Sequence, residues 1–217
     1  MMARSRARLG VLLALLAPAL CGCSSSSRVM SFAPPQEPVS AKDYDKVRDR
    51  WTRSGKIFQP KTLDTTLRVH ATLYGPEFVS AYIAKSAKVF RLSLQEEAQL
   101  KRRLDEETTR GFVVFVGAST SDVRWNDFER KPGSVWQLGL VNDQQEQVNP
   151  EDVKPEREVT PTITELFPYV EDFYRAYTIR FPKQPPGGRP LLRAETERLT
   201  LRFSGALGQT DLEWRFR

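Results

Sequence analysis

The stretch 198–216, Arg-Leu-Thr-Leu-Arg-Phe-Ser-Gly-Ala-Leu-Gly-Gln-Thr-Asp-Leu-Glu-Trp-Arg-Phe, decides the fold. Two runs of alternating apolar and polar residues, 198–203 and 212–216, flank the turn sequence Gly205-Ala-Leu-Gly208. Alternation with period two places every second side chain on the same face of a strand. The pattern therefore predicts an antiparallel hairpin with one buried face, formed by Leu199, Leu201, Phe203, Leu212, Trp214 and Phe216.

Further strands are predicted upstream of this hairpin. Residues 63–73 alternate in the same way, 112–116 form a continuous apolar run, and 134–141 and 174–182 alternate less regularly. A short amphipathic helix is predicted at 43–52. A helical pair follows the strand at 63–73, with Pro76 opening its first helix and a Ser93–Glu96 capping box opening its second. We expect a mainly β domain, an Ig-like β-sandwich with a helical pair inserted after the first strand. The alternative is an α+β domain with helices packed on one antiparallel sheet.

Composition excludes several classes of protein. The 217 residues carry 33 basic and 27 acidic side chains, and 40% of them are hydrophobic. This suits a folded domain and argues against a multi-span membrane protein. The basic residues form no run longer than 101–103, which argues against nucleic-acid binding.

Residues 1–24 combine a basic start, an apolar run at 9–20 and the sequence Leu20-Cys21-Gly22-Cys23-Ser24. The apolar run is too short to span a bilayer as a stable helix, and it suits the core of a signal peptide. This order resembles the lipobox of bacterial lipoproteins when it is aligned on Cys23. Leu20 and Gly22 then occupy the positions where the lipobox has Leu and a small residue.

The resemblance implies that residues 1–22 are removed by cleavage after Gly22 and that Cys23 carries a diacylglyceryl thioether and usually a third acyl chain. Two or three acyl chains anchor a protein durably. Membrane lipid is thus the first expected partner, and Ser24 is usually associated with passage to the outer membrane, facing the periplasm, in cells with two membranes. We expect a flexible Ser/Pro-rich tether at 23–41 and a single globular domain at 42–217.

Catalytic motifs are scarce in the sequence. His70 is the one histidine, expected to face solvent, and the common hydrolase, metalloprotease and nucleotide-binding motifs are absent. We predict no catalytic residue, metal site or cofactor. The alternative function is an envelope hydrolase that uses a pair of carboxylates, such as those between Glu96 and Glu107.

The segment 166–177, Leu-Phe-Pro-Tyr-Val-Glu-Asp-Phe-Tyr-Arg-Ala-Tyr, is rich in aromatic residues. Aromatic side chains together with Arg and Pro are typical of protein-binding surfaces. We predict that Tyr169 and Tyr174 are exposed, because each lies beside Pro or charged residues, and that they contact an envelope protein. The leading hypothesis is a membrane-anchored, non-catalytic binding or assembly module. A third option, after the hydrolase, is a carrier of small apolar ligands.

Overall fold

A computed structural model describes residues 30–61, 63–130 and 132–216. The predicted cleavage site at Gly22 and lipidation site at Cys23 lie outside this range. The described part has two antiparallel sheets with the strand orders β1-β2-β3-β7-β6 and β5-β4-β8-β9. The strands are β1 Thr52–Gln59, β2 Asp64–Leu73, β3 Gly111–Thr120, β4 Trp136–Asn142, β5 Gln147–Val148, β6 Asp152–Pro155, β7 Arg175–Pro182, β8 Arg198–Gly205 and β9 Gly208–Arg215. The helices are α1 Tyr44–Trp51, α2 Pro76–Phe90, α3 Leu94–Arg110 and α4 Pro161–Leu166.

The C-terminal hairpin is confirmed. Leu199 lies opposite Trp214, and Leu201 lies opposite Leu212, in the antiparallel pairing of β8 with β9. All four side chains are buried. Gly208 closes the turn with a φ of 125°, a backbone conformation that favours glycine.

One hydrophobic core joins the two sheets. The ring of Phe128 lies 5.0 Å from that of Tyr177 in β7 and 5.3 Å from that of Phe203 in β8. The predicted run at 112–116 lies in the central strand β3, which is buried on both faces. On the face of β3 that is turned away from the shared core, the ring of Phe115 stacks on that of Phe167 at 3.9 Å. The prediction of a mainly β fold with helices is thereby confirmed.

The helical pair, α2 and α3, follows the second strand, whereas the sequence predicts it after the first. The reason is that β1 is not apparent in the sequence. Ile57 is the one residue of β1 in the hydrophobic core, because this strand lies at the edge of its sheet. A strand with so little buried surface lacks the alternation that predicts strands. The capping box of Ser93 and Glu96 at the start of α3 is present as predicted.

Residues 30–32 are packed against the folded domain, although the sequence predicts a solvated tether as far as residue 41. Met30 is 2% exposed and pairs with Phe216 in a parallel β-bridge. The ring of Phe32 lies 5.0 Å from that of Phe216 and 5.6 Å from that of Trp51. The burial of these two apolar side chains explains why the packed part of the chain extends at least to Met30.

The five-stranded sheet has two distinct ends. The Met30 end comprises the start of β1, the end of β2, the start of β3 and the end of β7. Met30 lies at this end because Phe32, two residues further along the chain, contacts Trp51 and Phe112. The Phe173 end comprises the opposite termini of the same strands, with the β1–β2 turn, the segment after β3 and the segment before β7. A strand of ten residues spans about 30 Å, so roughly this distance separates the two ends.

No helix among the described residues is both long and apolar enough to cross a membrane.

Candidate functional site

Tyr169 packs on the outer face of the five-stranded sheet, whereas the sequence predicts that it is exposed. Its hydroxyl forms a 2.7 Å hydrogen bond with the hydroxyl of Thr72, and its ring stacks on His70 at 5.2 Å. Burial raises the pKa of the Tyr169 hydroxyl well above its ordinary value. The neighbouring Pro168, Glu171 and Asp172 are exposed, but they do not keep this side chain in solvent. Tyr169 is therefore a packing residue.

A glycine in β3 makes room for this ring. A Cβ atom on Gly117 would lie 3.0 Å from Cγ2 of Val170 and 3.3 Å from Cε2 of Tyr169. The segment 167–170 can therefore lie directly on the sheet because position 117 has no side chain.

His70 contacts both predicted tyrosines. Its ring lies 5.9 Å from that of Tyr174 as well as against Tyr169. Burial lowers the pKa of the imidazole below its ordinary value, with Arg68 adding to this effect and Glu171 opposing it. The expectation of a solvent-facing histidine is therefore wrong, because the segment 169–174 folds back over the polar face of β2.

Phe173 is the aromatic residue of this segment that faces solvent. Its side chain is 96% exposed, and its φ of 71° is unusual for a residue other than glycine. Tyr174 is half-buried beside it. The sequence did not point to Phe173, because the aromatic residues of this segment other than Tyr169 and Tyr174 were expected in the core. The preceding Glu171-Asp172 pair was the available signal of a polar, exposed turn.

Three further apolar side chains are exposed at the same end of the sheet. Leu63 is 79% exposed, Val123 is 84% exposed and Phe58 is 49% exposed. Phe58 lies near the end of β1, Leu63 belongs to the β1–β2 connection, and Val123 follows β3. Because β1, β2, β3 and β7 are successive neighbours, these side chains and Phe173 occupy adjacent strand ends. We call Phe58, Leu63, Val123 and Phe173 the apolar tip.

A separate cavity of about 760 Å³ lies at the Met30 end. One wall comes from the N-terminal segment, with Phe32, Pro34 and Pro38, and another from α2, with Val79, Ile83 and Ala84. Helix α3 supplies a polar wall. The volume falls within the range of about 300–1,000 Å³ that is usual for sites of small ligands.

Two carboxylates of α3 line this cavity. Glu97 and Asp105 extend from backbone positions about 12 Å apart along the helix axis. Lys101 lies between them and forms a 2.6 Å ion pair with Asp105. Glycoside hydrolysis needs carboxyl groups about 5–9.5 Å apart.

A second cavity of about 430 Å³ mixes acidic and basic side chains. Asp152 pairs there with Lys154 at 3.4 Å and with Arg180 at 3.7 Å. Glu156 accepts a 3.2 Å hydrogen bond from Thr178. Within the described ranges, no three His, Cys, Asp or Glu residues are grouped so that they could hold a metal ion.

No family model matches the chain, and no curated protein matches it. Among solved structures, a novel protein of unknown function from Burkholderia pseudomallei K96243 is similar over 80% of this chain and 88% of that chain. The two are 12% identical in sequence, with a TM-score of 0.40.

Proposed function

We propose that this protein is a lipoprotein of the cell envelope, attached to the membrane through acylated Cys23, and that its folded part binds another envelope protein without catalysing a reaction. The sequence Leu20-Cys21-Gly22-Cys23 supports the anchor. The residue after it, Ser24, supports placement in the outer membrane, facing the periplasm, if the cell has two membranes. For the fold, we propose a β-sandwich related to the Ig-like class, in which the two sheets pack face to face through the shared core.

The main support for the proposed binding function is the position of the apolar tip relative to the anchor. Residues 24–29 separate Cys23 from Met30, a span of at most about 25 Å when fully extended. The anchor therefore holds the Met30 end close to the bilayer. The apolar tip lies at the opposite end of the sheet, roughly 30 Å from the Met30 end, where a second protein can reach it.

Backbone conformation at the tip also supports binding. Leu63 and Phe173 have positive φ angles of 55° and 71°. Such conformations cost free energy for a residue with a side chain, and they concentrate at functional sites. Here they present two large apolar side chains to solvent.

The charges beside the tip favour a protein partner over a second lipid surface. Asp64 follows Leu63 and Asp172 precedes Phe173, whereas the carboxylate of Asp122, which precedes Val123, is paired with Arg124. Carboxylates are costly to bring into an apolar bilayer and are repelled by anionic lipids. At the rim of a protein interface, the same charged groups surround an apolar centre. Tyr174, half-buried beside Phe173, belongs to the proposed contact.

Site-specific photocrosslinking in the producing cells tests this function. A photoreactive amino acid at position 173 should give discrete protein adducts, and the Leu63→Ser, Val123→Ser double substitution should reduce them. The control is the same amino acid at Pro186, an exposed position in the loop that follows β7 at the Met30 end. Absence of adducts at 173, or equal adducts from 186, would contradict the proposal. Adducts with lipid alone would show that the tip binds a membrane instead.

A further inference from the structure

The cavity at the Met30 end is amphipathic. The proline-rich N-terminal segment and α2 form its apolar walls, through Phe32, Pro34, Val79 and Ile83 among others. Its α3 wall is polar, with Thr108 and the ion pair of Lys101 with Asp105. A molecule that matches both walls has an apolar body and a polar head group.

We propose that this cavity binds the acyl chain of a membrane amphiphile, with the chain against α2 and the N-terminal segment and the head group toward α3. The volume of about 760 Å³ accommodates a small ligand, and burial of an acyl chain against these apolar walls removes both from water. The polar wall lets the head group keep hydrogen-bond partners, which avoids the cost of burying it unpaired.

The location of the cavity indicates where the amphiphile comes from. Phe32 and Pro34, which line it, come shortly after the described chain begins at Met30. If Cys23 is acylated, as the proposed function requires, the cavity lies within reach of the bilayer and takes its ligand from there. The identity of the source thus rests on the proposed function, whereas the binding of an acyl chain rests on the cavity walls.

Photolabelling of the full-length protein, as it is isolated from membranes, tests the inference. The protein is placed in vesicles of phosphatidylethanolamine and phosphatidylglycerol that contain palmitate with a photoactivatable group in mid-chain. Mass spectrometry then identifies the labelled peptides. We expect labelling within 32–39 and 76–90 and its suppression by excess unlabelled palmitate.

Two tryptophan variants test whether the cavity is the site of labelling. Ala84→Trp places a large side chain in the cavity and should reduce labelling about tenfold, which corresponds to ~1.4 kcal/mol of binding free energy. Ala206→Trp makes the same change at an exposed position of the β8–β9 turn, which does not line the cavity, and should leave labelling unchanged. Melting curves verify that both variants are folded. If Ala84→Trp is not folded, the competition by unlabelled palmitate in the wild type decides whether the cavity binds an acyl chain.

Labelling that is confined to residues before Met30, or that does not respond to competition, would overturn the inference. So would undiminished labelling of a folded Ala84→Trp variant. The mass of the N-terminal peptide is measured in the same sample. Specific labelling of 76–90 with an unmodified Cys23 would refute the anchor and leave acyl-chain binding intact. An acylated Cys23 without such labelling would refute acyl-chain binding alone.

Discussion

Met30 and Phe216 pair in parallel, with the backbone N–H of Met30 donating to the carbonyl of Arg215 over 3.1 Å. This contact joins the first described residue to the end of the last strand. It places Met30 at the same end of the sheet as the cavity. The distance between the anchor and the apolar tip depends on this arrangement.

We predict that Met30→Ala lowers the free energy of unfolding by roughly 2–5 kcal/mol, the range for buried large-to-alanine substitutions. The side chain is 2% exposed, so its loss leaves a cavity. Chemical denaturation measures the effect, with Gln36→Ala, at an exposed position of the same segment, as the control. If both variants are as stable as the wild type, the N-terminal segment does not contribute to the packed domain.

Trp214 is the largest side chain contributed by the C-terminal hairpin to the core. It is fully buried, and its Nε1 donates a 2.8 Å hydrogen bond to the carbonyl of Trp51. Trp214→Ala should therefore lower the unfolding free energy by roughly 3–5 kcal/mol. Arg215→Ala, at the adjacent exposed position, should change it by less than ~0.5 kcal/mol. A loss below ~1 kcal/mol for Trp214→Ala would mean that β9 is not packed as described.

Gly117→Val should displace the segment that carries Tyr169. A Cβ atom at this position already meets Val170 at 3.0 Å, and the two methyl groups of Val would need still more space. We expect a loss of about 1–3 kcal/mol in unfolding free energy, as overpacked cores show. Ser119→Val, two residues further along the same face of β3, is the matched control. Equal stability of Gly117→Val and the wild type would refute the close packing of 167–170 on the sheet.

His70 should make the protein less stable as the pH falls. Burial lowers the pKa of His70 in the folded state, so the unfolded chain binds a proton first as the pH falls through the ordinary value of 6.5. Stability is therefore complete above this value and decreases below it, until the folded state is protonated as well. Between about pH 7 and pH 5, the decrease in unfolding free energy should be smaller for His70→Gln than for the wild type. Identical pH profiles would show that His70 is not desolvated in the folded state.

The alternating pattern allowed the strands with one buried face to be predicted from the sequence. In β8 and β9, every second residue faces one core, and the alternation is visible without a structure. In β1, a single core residue, Ile57, leaves no such pattern, and this strand was missed. The position of the helical pair was mistaken for the same reason.

The surface around the aromatic segment was predicted less well. The sequence singled out 166–177, yet Tyr169 is packed and Phe173 is exposed. Local neighbours in the sequence do not determine burial here, because Gly117, in another element, provides the space that Tyr169 fills. The apolar tip likewise combines Phe58 of β1 with residues from three separate connections, which only the strand pairing brings together.

The central claim is that Cys23 anchors this domain to a membrane, and the mass of the N-terminal peptide of the membrane-extracted protein tests it most directly. The account predicts that the mature chain begins at Cys23 and carries a diacylglyceryl group, in the wild type and in Cys21→Ala alike. It predicts that Cys23→Ala accumulates as an unprocessed precursor without lipid. A mature wild-type chain that begins elsewhere, or one with an unmodified Cys23, would contradict it.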